Sequence, residues 1–301
     1  MFPEHFDGKR FFNPGGQKAR GLGEVLRWKL TSRAEPSPSF LNDVMPVLPA
    51  AGVDGLRITM VNHATLLIQA GGLNILTDPV WSRRVSPFVF AGPARKRAPG
   101  IRFEDLPRID AVLLSHNHYD HLDVQTLQRL AAECVVPLGV APLLNGCGKV
   151  HELDWGQSAV VCGLGVHCVP AQHFSARWLT DRDRTLWCGY WVETGAGAIY
   201  FAGDTGFGPH FAAIREHFGA PRVALLPIGA YLPRWFMQPV HMSPADALEA
   251  HRIVGAQTSI AIHHGTFQLA DDAPDTPARE LRSLLQGEDF RILPNGGTFE
   301  I

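Results

Sequence analysis

Residues Ser115–His121 read SHNHYDH and directly follow the apolar run Ile109–Leu114. The apolar run has the length and composition of a buried β-strand. In extended backbone, residues two positions apart point to the same side, so His116 and His118 can bind one metal ion together. The spacing H-x-H-x-D-H is rare by chance, and it indicates a metal-binding segment at the end of a strand.

The end of this segment supplies Asp120 and His121. Where the chain turns from the strand into a helix, these two side chains can reach a second ion beside the first. Imidazole nitrogens combined with one or two carboxylates are typical of Zn²⁺ sites, whereas Mg²⁺ and Ca²⁺ favour all-oxygen ligands. Four side chains are too few to fill two sites, so further ligands are expected at later strand ends.

Three further candidates each follow a predicted strand. His173 ends the segment Pro-Ala-Gln-His, Asp204 lies in Gly-Asp-Thr-Gly, and His263 begins His-His-Gly-Thr. Glycine beside Asp204 would allow the backbone to approach an ion closely. Taken singly, each could be an exposed loop residue or a turn aspartate. Their common order of strand and then ligand favours a shared site. The three preceding strands are predicted over Gly165–Val169, Ala198–Phe201 and Ser259–Ile262.

The chain divides into an N-terminal arm, residues 1–52, and one domain, residues 53–301. The arm is rich in basic residues and proline, with one short helix predicted over Gly23–Leu30. From residue 55 onward, short β-type runs come first and α/β alternation follows. This order predicts two packed sheets with helices outside.

The first part of the domain gives strands over Leu56–Val61, Thr65–Gln69, Leu73–Thr77, Ile109–Leu114 and Cys134–Leu138, and a helix over Val124–Glu133 capped by Asp123. The later part gives strands over Leu186–Val192, Arg222–Leu226 and Phe290–Leu293, and helices over Pro209–Phe218, Pro244–Val254 and Pro277–Leu285.

The composition argues against several classes of protein. The 27 Lys and Arg against 29 Asp and Glu give a formal net charge of −2, so no positive field is available to hold nucleic acid. The five cysteines include no C-x-x-C pair, which disfavours a disulfide framework or a cysteine zinc knuckle. No apolar stretch approaches the ~18 residues of a membrane span, and no secretory signal is recognisable. We expect a soluble, cytoplasmic protein, at most peripheral to the inner membrane face.

Several segments together resemble the metallo-β-lactamase superfamily, and within it the N-acylphosphatidylethanolamine phospholipase D group. They lie across nearly the whole chain: LSHNHYDHLD at Leu114–Asp123, PAQH at Pro170–His173, FAGDTG at Phe201–Gly206, PIGAYLPRWFM at Pro227–Met237 and AIHHGTF at Ala261–Phe267. The resemblance implies an α/β (α+β) fold, the four-layer αββα sandwich of that superfamily. It also implies a binuclear zinc hydrolase.

The resemblance implies a specific division of ligands between two Zn²⁺ ions per chain, with Mn²⁺ or Fe²⁺ as alternative metals. One ion is expected to bind His116, His118 and His173, and the other Asp120, His121 and His263, with Asp204 bridging the two. Asp78 matches an aspartate that supports the ligand segment from a neighbouring strand end. The supporting role of His63 is less defined, because the usual G-H-A-T is here Asn-His-Ala-Thr. His264 stands where the eukaryotic phospholipases have tryptophan.

The expected chemistry is hydrolysis. A pair of Zn²⁺ ions lowers the pKa of a shared water and holds the oxygens of the reacting group. His241 matches a histidine of the phospholipase group and is the candidate proton donor to the leaving group. An alternative for His241 is a helix-entry residue with no catalytic task. Asp120 and Asp204 complete the predicted catalytic residues, while Tyr119 is expected to pack.

The preferred reaction is phospholipase D-type hydrolysis of N-acylphosphatidylethanolamine-like or related lipid phosphodiesters. A lactonase or other small-molecule metallohydrolase is the alternative enzyme, and a binding protein on a catalytically dead scaffold is the non-enzyme alternative. The expected partner is a small-molecule or lipid substrate, and the chain is either monomeric or a homodimer. A run of apolar residues either forms an acyl-chain groove or packs in the core: Tyr231, Leu232, Trp235, Phe236 and Met237.

Overall fold

The computed structural model describes residues 4–15, 18–178 and 180–301, and it arranges their strands in two sheets of seven. In spatial order the first sheet contains β14 (Thr298–Glu300), β1 (Leu56–Asn62), β2 (Thr65–Ala70), β3 (Leu73–Thr77), β4 (Ala111–Leu113), β5 (Glu133–Pro137) and β6 (Val150–Leu153). The second sheet contains β13 (Phe290–Arg291), β12 (Thr258–Ile262), β11 (Val223–Pro227), β10 (Gly197–Phe201), β9 (Gly189–Thr194), β8 (Leu164–Val169) and β7 (Ser158–Val161).

The α-helices of the described residues lie outside the sheets or on the arm. They are α1 (Leu22–Thr31), α2 (Val124–Leu130), α3 (His210–Phe218), α4 (Arg234–Met237), α5 (Pro244–Val254) and α6 (Thr276–Leu284). The cap of α2 is the predicted Asp123, whose side chain accepts from the Thr126 backbone N–H. The start of α5 is the predicted Ser243, which forms a capping box with Asp246.

Apolar side chains on both faces of each sheet hold the layers together. Between the sheets, Met60 of β1 packs in the same core as Phe201 of β10. On the outer face of the first sheet, Leu127 of α2 packs in one cluster with Val112 of β4. On the outer face of the second sheet, α3, α5 and α6 cover strand residues such as Leu226. The layer order is helix, sheet, sheet, helix, which confirms the predicted αββα sandwich.

Some elements are predicted to be longer than the structure shows them. The helix predicted to reach Glu133 ends at Leu130, because Ala131 adopts the left-handed conformation at φ 51° and Glu133 already begins β5. The strand predicted from Leu186 begins at Gly189. The backbone just before β9 bonds instead to the loop after β4 of the first sheet, since the Cys188 N–H donates to the Ser115 carbonyl at 2.9 Å.

Several short elements were not predicted. They are β6, β7, β14 and α4. The two edge strands β6 and β7 are partly exposed and only four residues long, and β6 has two polar residues at its centre, so neither shows the long buried apolar run by which the central strands are recognised. The strand predicted over Ile109–Leu114 is paired only over Ala111–Leu113.

The arm contacts the domain through buried polar side chains. Trp28 of α1 donates from Nε1 to Asp271 at 3.0 Å, and Glu35 accepts from the Ala273 backbone N–H at 3.1 Å. Asn13 donates from its amide to the His173 carbonyl at 2.8 Å. Among the described residues, no helix combines the length and apolarity needed to cross a bilayer.

Candidate metal centre

The candidate centre lies where strands of both sheets end. β3, β4 and β5 run parallel to one another, as do β10, β11 and β12. The carboxyl ends of parallel strands meet at the same edge of a sheet, so the residues after them form neighbouring loops. The structure brings all seven predicted ligands together in these loops: His116, His118, Asp120, His121, His173, Asp204 and His263.

Three imidazoles form the histidine cluster, His116, His118 and His173. His116 Nε2 lies 2.7 Å from His118 Nδ1, and His173 Nε2 lies 3.3 Å from the same nitrogen. His173 Nδ1 donates to the Val240 carbonyl at 2.9 Å, which makes Nε2 the nitrogen with the lone pair. Such an arrangement of imidazole nitrogens suits one shared cation.

One carboxylate and three imidazoles form the mixed cluster, His63, Asp120, His121 and His263. Asp120 Oδ2 lies 3.1 Å from His63 Nε2, 3.3 Å from His121 Nε2 and 3.4 Å from His263 Nε2. The sequence left the role of His63 open. In the structure its ring nitrogen is as close to Asp120 as those of the predicted ligands.

Asp204 lies between the two clusters. Its Oδ2 is 3.0 Å from His263 Nε2 and 3.2 Å from His121 Nε2 on one side, and 3.7 Å from His173 Nε2 on the other. The preceding Gly203 has φ 61°, and a Cβ there would lie 2.6 Å from the Ser115 Cβ. Glycine is therefore required for the β10 loop to approach the ligand segment.

Buried polar atoms without hydrogen-bond partners test whether these residues fit a metal. Within the described chain, His121 Nε2, His263 Nε2 and Asp204 Oδ1 are buried and make no hydrogen bond. Buried polar groups are normally satisfied, and unsatisfied ones call for an explanation. Nitrogen and carboxylate donors at the centre of two converging clusters fit Zn²⁺ or a similar divalent ion.

The electrostatics of the two clusters differ. Burial lowers the pKa of all three imidazoles in the histidine cluster, that of His118 to about 4. Burial opposes the ionisation of Asp120 and Asp204, but the neighbouring imidazoles, His121 first and then His263, outweigh it and hold the pKa of both carboxyls well below the usual range.

The carboxylates act in turn on the histidines of the mixed cluster. Against the effect of burial, Asp204 and Asp120 raise the pKa of His121 well above its ordinary value and that of His263 to about 9. Protons on these imidazoles thus compensate the two carboxylates when no cation does so. Metal binding releases such protons, because a ligand must offer a lone pair.

Asp78, to which the resemblance gives a supporting role, contacts the ligand segment directly. Its Oδ2 accepts from His121 Nδ1 at 2.6 Å and from the Ser115 hydroxyl at 2.6 Å, and its Oδ1 accepts from the Ser115 backbone N–H at 2.7 Å. The Ser115 hydroxyl also lies 2.9 Å from His116 Nδ1. This fully buried carboxylate directs His121 Nε2 towards the centre.

The sequence interpretation missed Arg177, which supports the same segment. The Arg177 Nη1 group donates to the carbonyl of Asn117, between His116 and His118, at 2.8 Å and to that of Leu122, directly after His121, at 2.9 Å. Its guanidinium also lies 3.8 Å from the ring centre of Tyr119. Tyr119 therefore packs, as expected. Arg177 bonds only to backbone carbonyls here, so no spacing of residue types in the sequence indicates this contact.

His241, which was predicted as a proton donor and not as a metal ligand, lies beside both clusters of the candidate metal centre. His241 Nδ1 is 3.9 Å from Asp204 Oδ2, and the ring centre is 5.1 Å from that of His173 and 5.4 Å from that of His263. Burial lowers the pKa of His241 to about 4. Its carbonyl accepts from Arg234 at 3.1 Å, which ties the loop to α4.

The apolar run after β11 packs largely against the arm. Phe236 stacks on Trp28 with ring centres 4.9 Å apart, and Met237 is buried in the same cluster. The Tyr231 hydroxyl donates to Glu280 of α6. Trp235 remains partly exposed under the Arg27 guanidinium.

The family of the chain follows from comparison with known proteins. A family profile described as the β-lactamase superfamily domain matches residues 73–264. The chain belongs to the metallo-β-lactamase superfamily. It is 38% identical over 287 residues, 87% of this chain and 80% of the relative, to N-acyl-phosphatidylethanolamine-hydrolyzing phospholipase D 1 of Caenorhabditis elegans. It is 31% identical over 252 residues, 81% of this chain and 100% of the relative, to a UPF0173 metal-dependent hydrolase of Methanopyrus kandleri.

Solved structures of other proteins share the fold. A possible metal-dependent hydrolase of Veillonella parvula superposes with a TM-score of 0.67 at 18% identity, over 82% of this chain and 100% of the other. The metallo hydrolase Igni18 of Ignicoccus hospitalis gives a TM-score of 0.63 at 23% identity, over 82% and 98% of the two chains. With the relatives named as hydrolases, the prediction of a metal-dependent hydrolase is confirmed.

Proposed function

We propose that the protein is a binuclear zinc phosphodiesterase of phospholipase D type that hydrolyses N-acylphosphatidylethanolamine-like lipids. The observation that carries the binuclear part is the position of Asp204, whose Oδ2 is close to imidazoles of both clusters. The proposed ligands are His116, His118 and His173 for one ion, Asp120, His121 and His263 for the other, and Asp204 for both.

The donor set supports Zn²⁺, with Mn²⁺ and Fe²⁺ as alternatives. When bound, the ions would supply a water of lowered pKa and positive charge for the developing oxyanion. The side chains around the ligands would hold these in the orientation that metal binding needs. Asp78 fixes the ring of His121 through Nδ1, and the Val240 carbonyl fixes that of His173. His63 holds Asp120 through Nε2 at 3.1 Å.

His241 is the proposed proton donor to the leaving alkoxide. Its side chain is 13% exposed and lies beside both clusters, and its buried Nδ1 has no hydrogen-bond partner among the described residues. Its distance of 3.9 Å from Asp204 is too long for a hydrogen bond, so the nitrogen remains available for a substrate. A donor must be within hydrogen-bond reach of the leaving oxygen, and this position at the centre supports that role. Because its pKa of about 4 leaves the imidazole neutral near pH 7, the proton that it donates would be the one released by the attacking water.

The lipid part of the proposal is supported by the relatives and by the surface of α1. The relative in Caenorhabditis elegans is named as hydrolysing N-acyl-phosphatidylethanolamine. On α1, Leu22, Leu26 and Leu30 are 76%, 61% and 77% exposed. Their spacing of four places them on one face, and Arg27 and Lys29 of the same helix are cationic. Such a helix favours peripheral contact of a cytoplasmic protein with an anionic membrane.

A substrate comparison tests the proposal. Protein loaded with Zn²⁺ is assayed on N-acylphosphatidylethanolamine in mixed micelles, on bis(p-nitrophenyl) phosphate and on a panel of lactones, with Asp204→Asn as the inactive control. Turnover of both phosphodiesters with release of phosphatidate supports the proposal. Turnover of lactones without either phosphodiester would overturn the phospholipase D assignment and favour the lactonase alternative.

A further inference from the structure

A second cavity begins at the residue after the candidate ligand His263. This cavity of about 490 Å³ is lined on one side by His264 and Gly265. Its other walls come from Asp43 of the arm, from α6 and from the segment Ile292–Asn295. None of the described residues that line it is a proposed metal ligand, so it is separate from the metal centre.

Arg97 and two aspartates at the cavity form a closed network. Arg97 Nε donates to the two Asp43 oxygens at 3.0 and 2.9 Å, and Nη2 donates to Asp275 at 2.9 Å. Arg97 Nη1 donates to the Gly265 carbonyl at 2.9 Å. The two carboxylates at this cavity are thereby both bound by one guanidinium.

Two further guanidiniums from α6 line the same cavity. Arg279 and Arg282 are three residues apart and therefore lie on one face of the helix. Arg279 donates to Thr276 Oγ1 at 3.0 Å. Asp275, four residues before Arg279, is bound by Arg97 instead, and in the described part of the chain neither α6 arginine forms an ion pair. The three arginines and two aspartates that line the cavity give it a net charge of +1, and both α6 arginines remain without a carboxylate partner among the described residues.

The remaining walls offer a polar atom and an apolar surface. His264 Nε2 is buried and makes no hydrogen bond within the described residues. Val44, Ala278 and Leu293 are apolar lining residues. A volume of about 490 Å³ lies in the range of small-molecule sites and exceeds what a simple oxyanion would fill.

We propose that this cavity binds a small phosphomonoester, with its phosphate held by Arg279 and Arg282 and its organic part against the apolar wall. Guanidinium groups match phosphate oxygens with paired hydrogen bonds, and within the described chain neither Arg279 nor Arg282 is already paired with a carboxylate. The inference does not depend on which substrate the metal centre hydrolyses.

Calorimetric titration of the Zn²⁺-loaded protein with sn-glycerol 3-phosphate tests the site. Arg279→Gln/Arg282→Gln should weaken binding at least about tenfold, because charge-assisted hydrogen bonds are lost. The matched control Arg215→Gln/Arg252→Gln removes two exposed helical arginines elsewhere and should leave binding unchanged. Any phosphate bound at the metal centre would contribute equally in all three proteins. Equal binding in all three, or no binding, would overturn the proposal.

Two further ligands identify the source of the phosphate. Inorganic phosphate should bind more weakly than glycerol 3-phosphate, since it cannot contact the apolar wall, and equal affinity would overturn the ester part of the proposal. Vesicles of phosphatidylcholine containing phosphatidate test a lipid headgroup as the source. Loss of vesicle binding in the Arg279/Arg282 variant but not in the control would identify phosphatidate as the ligand. Unchanged vesicle binding together with loss of glycerol 3-phosphate binding identifies a soluble phosphomonoester.

Discussion

The histidine cluster and the mixed cluster share Asp204 but differ in charge. The three imidazoles of the histidine cluster have lowered pKa values, and the cluster contains no carboxylate. The mixed cluster contains the ionised Asp120, and the buried Asp78 accepts a hydrogen bond from its His121. An ion in the histidine cluster would therefore depend on Asp204 for charge compensation, whereas an ion in the mixed cluster would retain Asp120.

Because the two clusters differ in charge, the same substitution should lower the affinity for the two ions by unequal amounts. Removing a charge at Asp204 affects both clusters, but it removes the whole negative charge among the proposed ligands of one of them. Removing the Asp78 carboxylate acts mainly on the mixed cluster, because the imidazole that donates to Asp78 is that of His121.

The largest effect is expected for Asp204→Asn. Both ions should be weakened, the one in the histidine cluster more, and kcat/KM should fall at least about 1,000-fold because several kcal/mol of charge stabilisation are lost. Metal content after dialysis and phosphodiester turnover measure this. Asp105→Asn, in an exposed pair with Arg102, is the control and should behave as wild type. Full occupancy with normal activity in Asp204→Asn would refute the bridging assignment.

His241→Ala tests a residue that contacts both clusters without being a proposed ligand. On substrates with a poor alkoxide leaving group, kcat should fall about 10²–10⁴-fold, the usual contribution of a general acid. A p-nitrophenyl diester should be nearly unaffected, because its leaving group departs without protonation, and metal content should stay at the wild-type level. His217→Ala, on the exposed face of α3, is the control. Equal losses on both substrates would indicate positioning or metal support instead of proton donation.

His116→Ala and His263→Ala separate the two clusters. Each substitution should lower the affinity for one ion at least about 100-fold, since loss of even a supporting partner costs 10–100-fold. The His263 variant should retain the ion of the histidine cluster, and the His116 variant that of the mixed cluster. Chelator titration followed on Co²⁺-substituted protein distinguishes them by spectrum. If both variants lost the same ion, the division of ligands would be wrong.

Asp78→Asn should have the smallest effect. The amide oxygen of asparagine cannot accept all three hydrogen bonds that the carboxylate accepts from His121 and Ser115, so affinity for the ion of the mixed cluster should fall about 10–100-fold. The histidine cluster should change less, because it contacts Asp78 only through Ser115. A larger loss from the histidine cluster than from the mixed cluster would contradict the assigned support.

The sequence indicated the fold and the predicted ligands because both depend on local patterns. Apolar strand runs followed directly by histidine or aspartate place ligands at one sheet edge, and His173, Asp204 and His263 were found in that way. The supporting contacts of Asn13 and Arg177 were not found. They join side chains to backbone carbonyls 160 and 60 residues away, for example Asn13 to His173 and Arg177 to Asn117, and such contacts leave no periodic signal.

The early end of α2 was missed for a related reason. Its residues continue a helical pattern past Leu130, but Ala131 takes φ 51° so that the chain can enter β5 beside β4. Pairing of two parallel strands determines that position, and local propensity does not contain it. The position of His63 beside Asp120 likewise depends on distant contacts rather than on the Asn-His-Ala-Thr motif alone, because its backbone forms a β-bridge with His264 and donates to the Thr266 hydroxyl.

The metal content of active protein tests the binuclear claim most directly. We expect purified, metal-replete protein to carry close to two zinc-class ions per chain, with hydrolysis lost on exhaustive chelation and restored on readdition. Elemental analysis on the same sample as the activity assay makes the measurement. A stoichiometry at or below one ion per chain in fully active protein would contradict a centre in which Asp204 joins two metal sites.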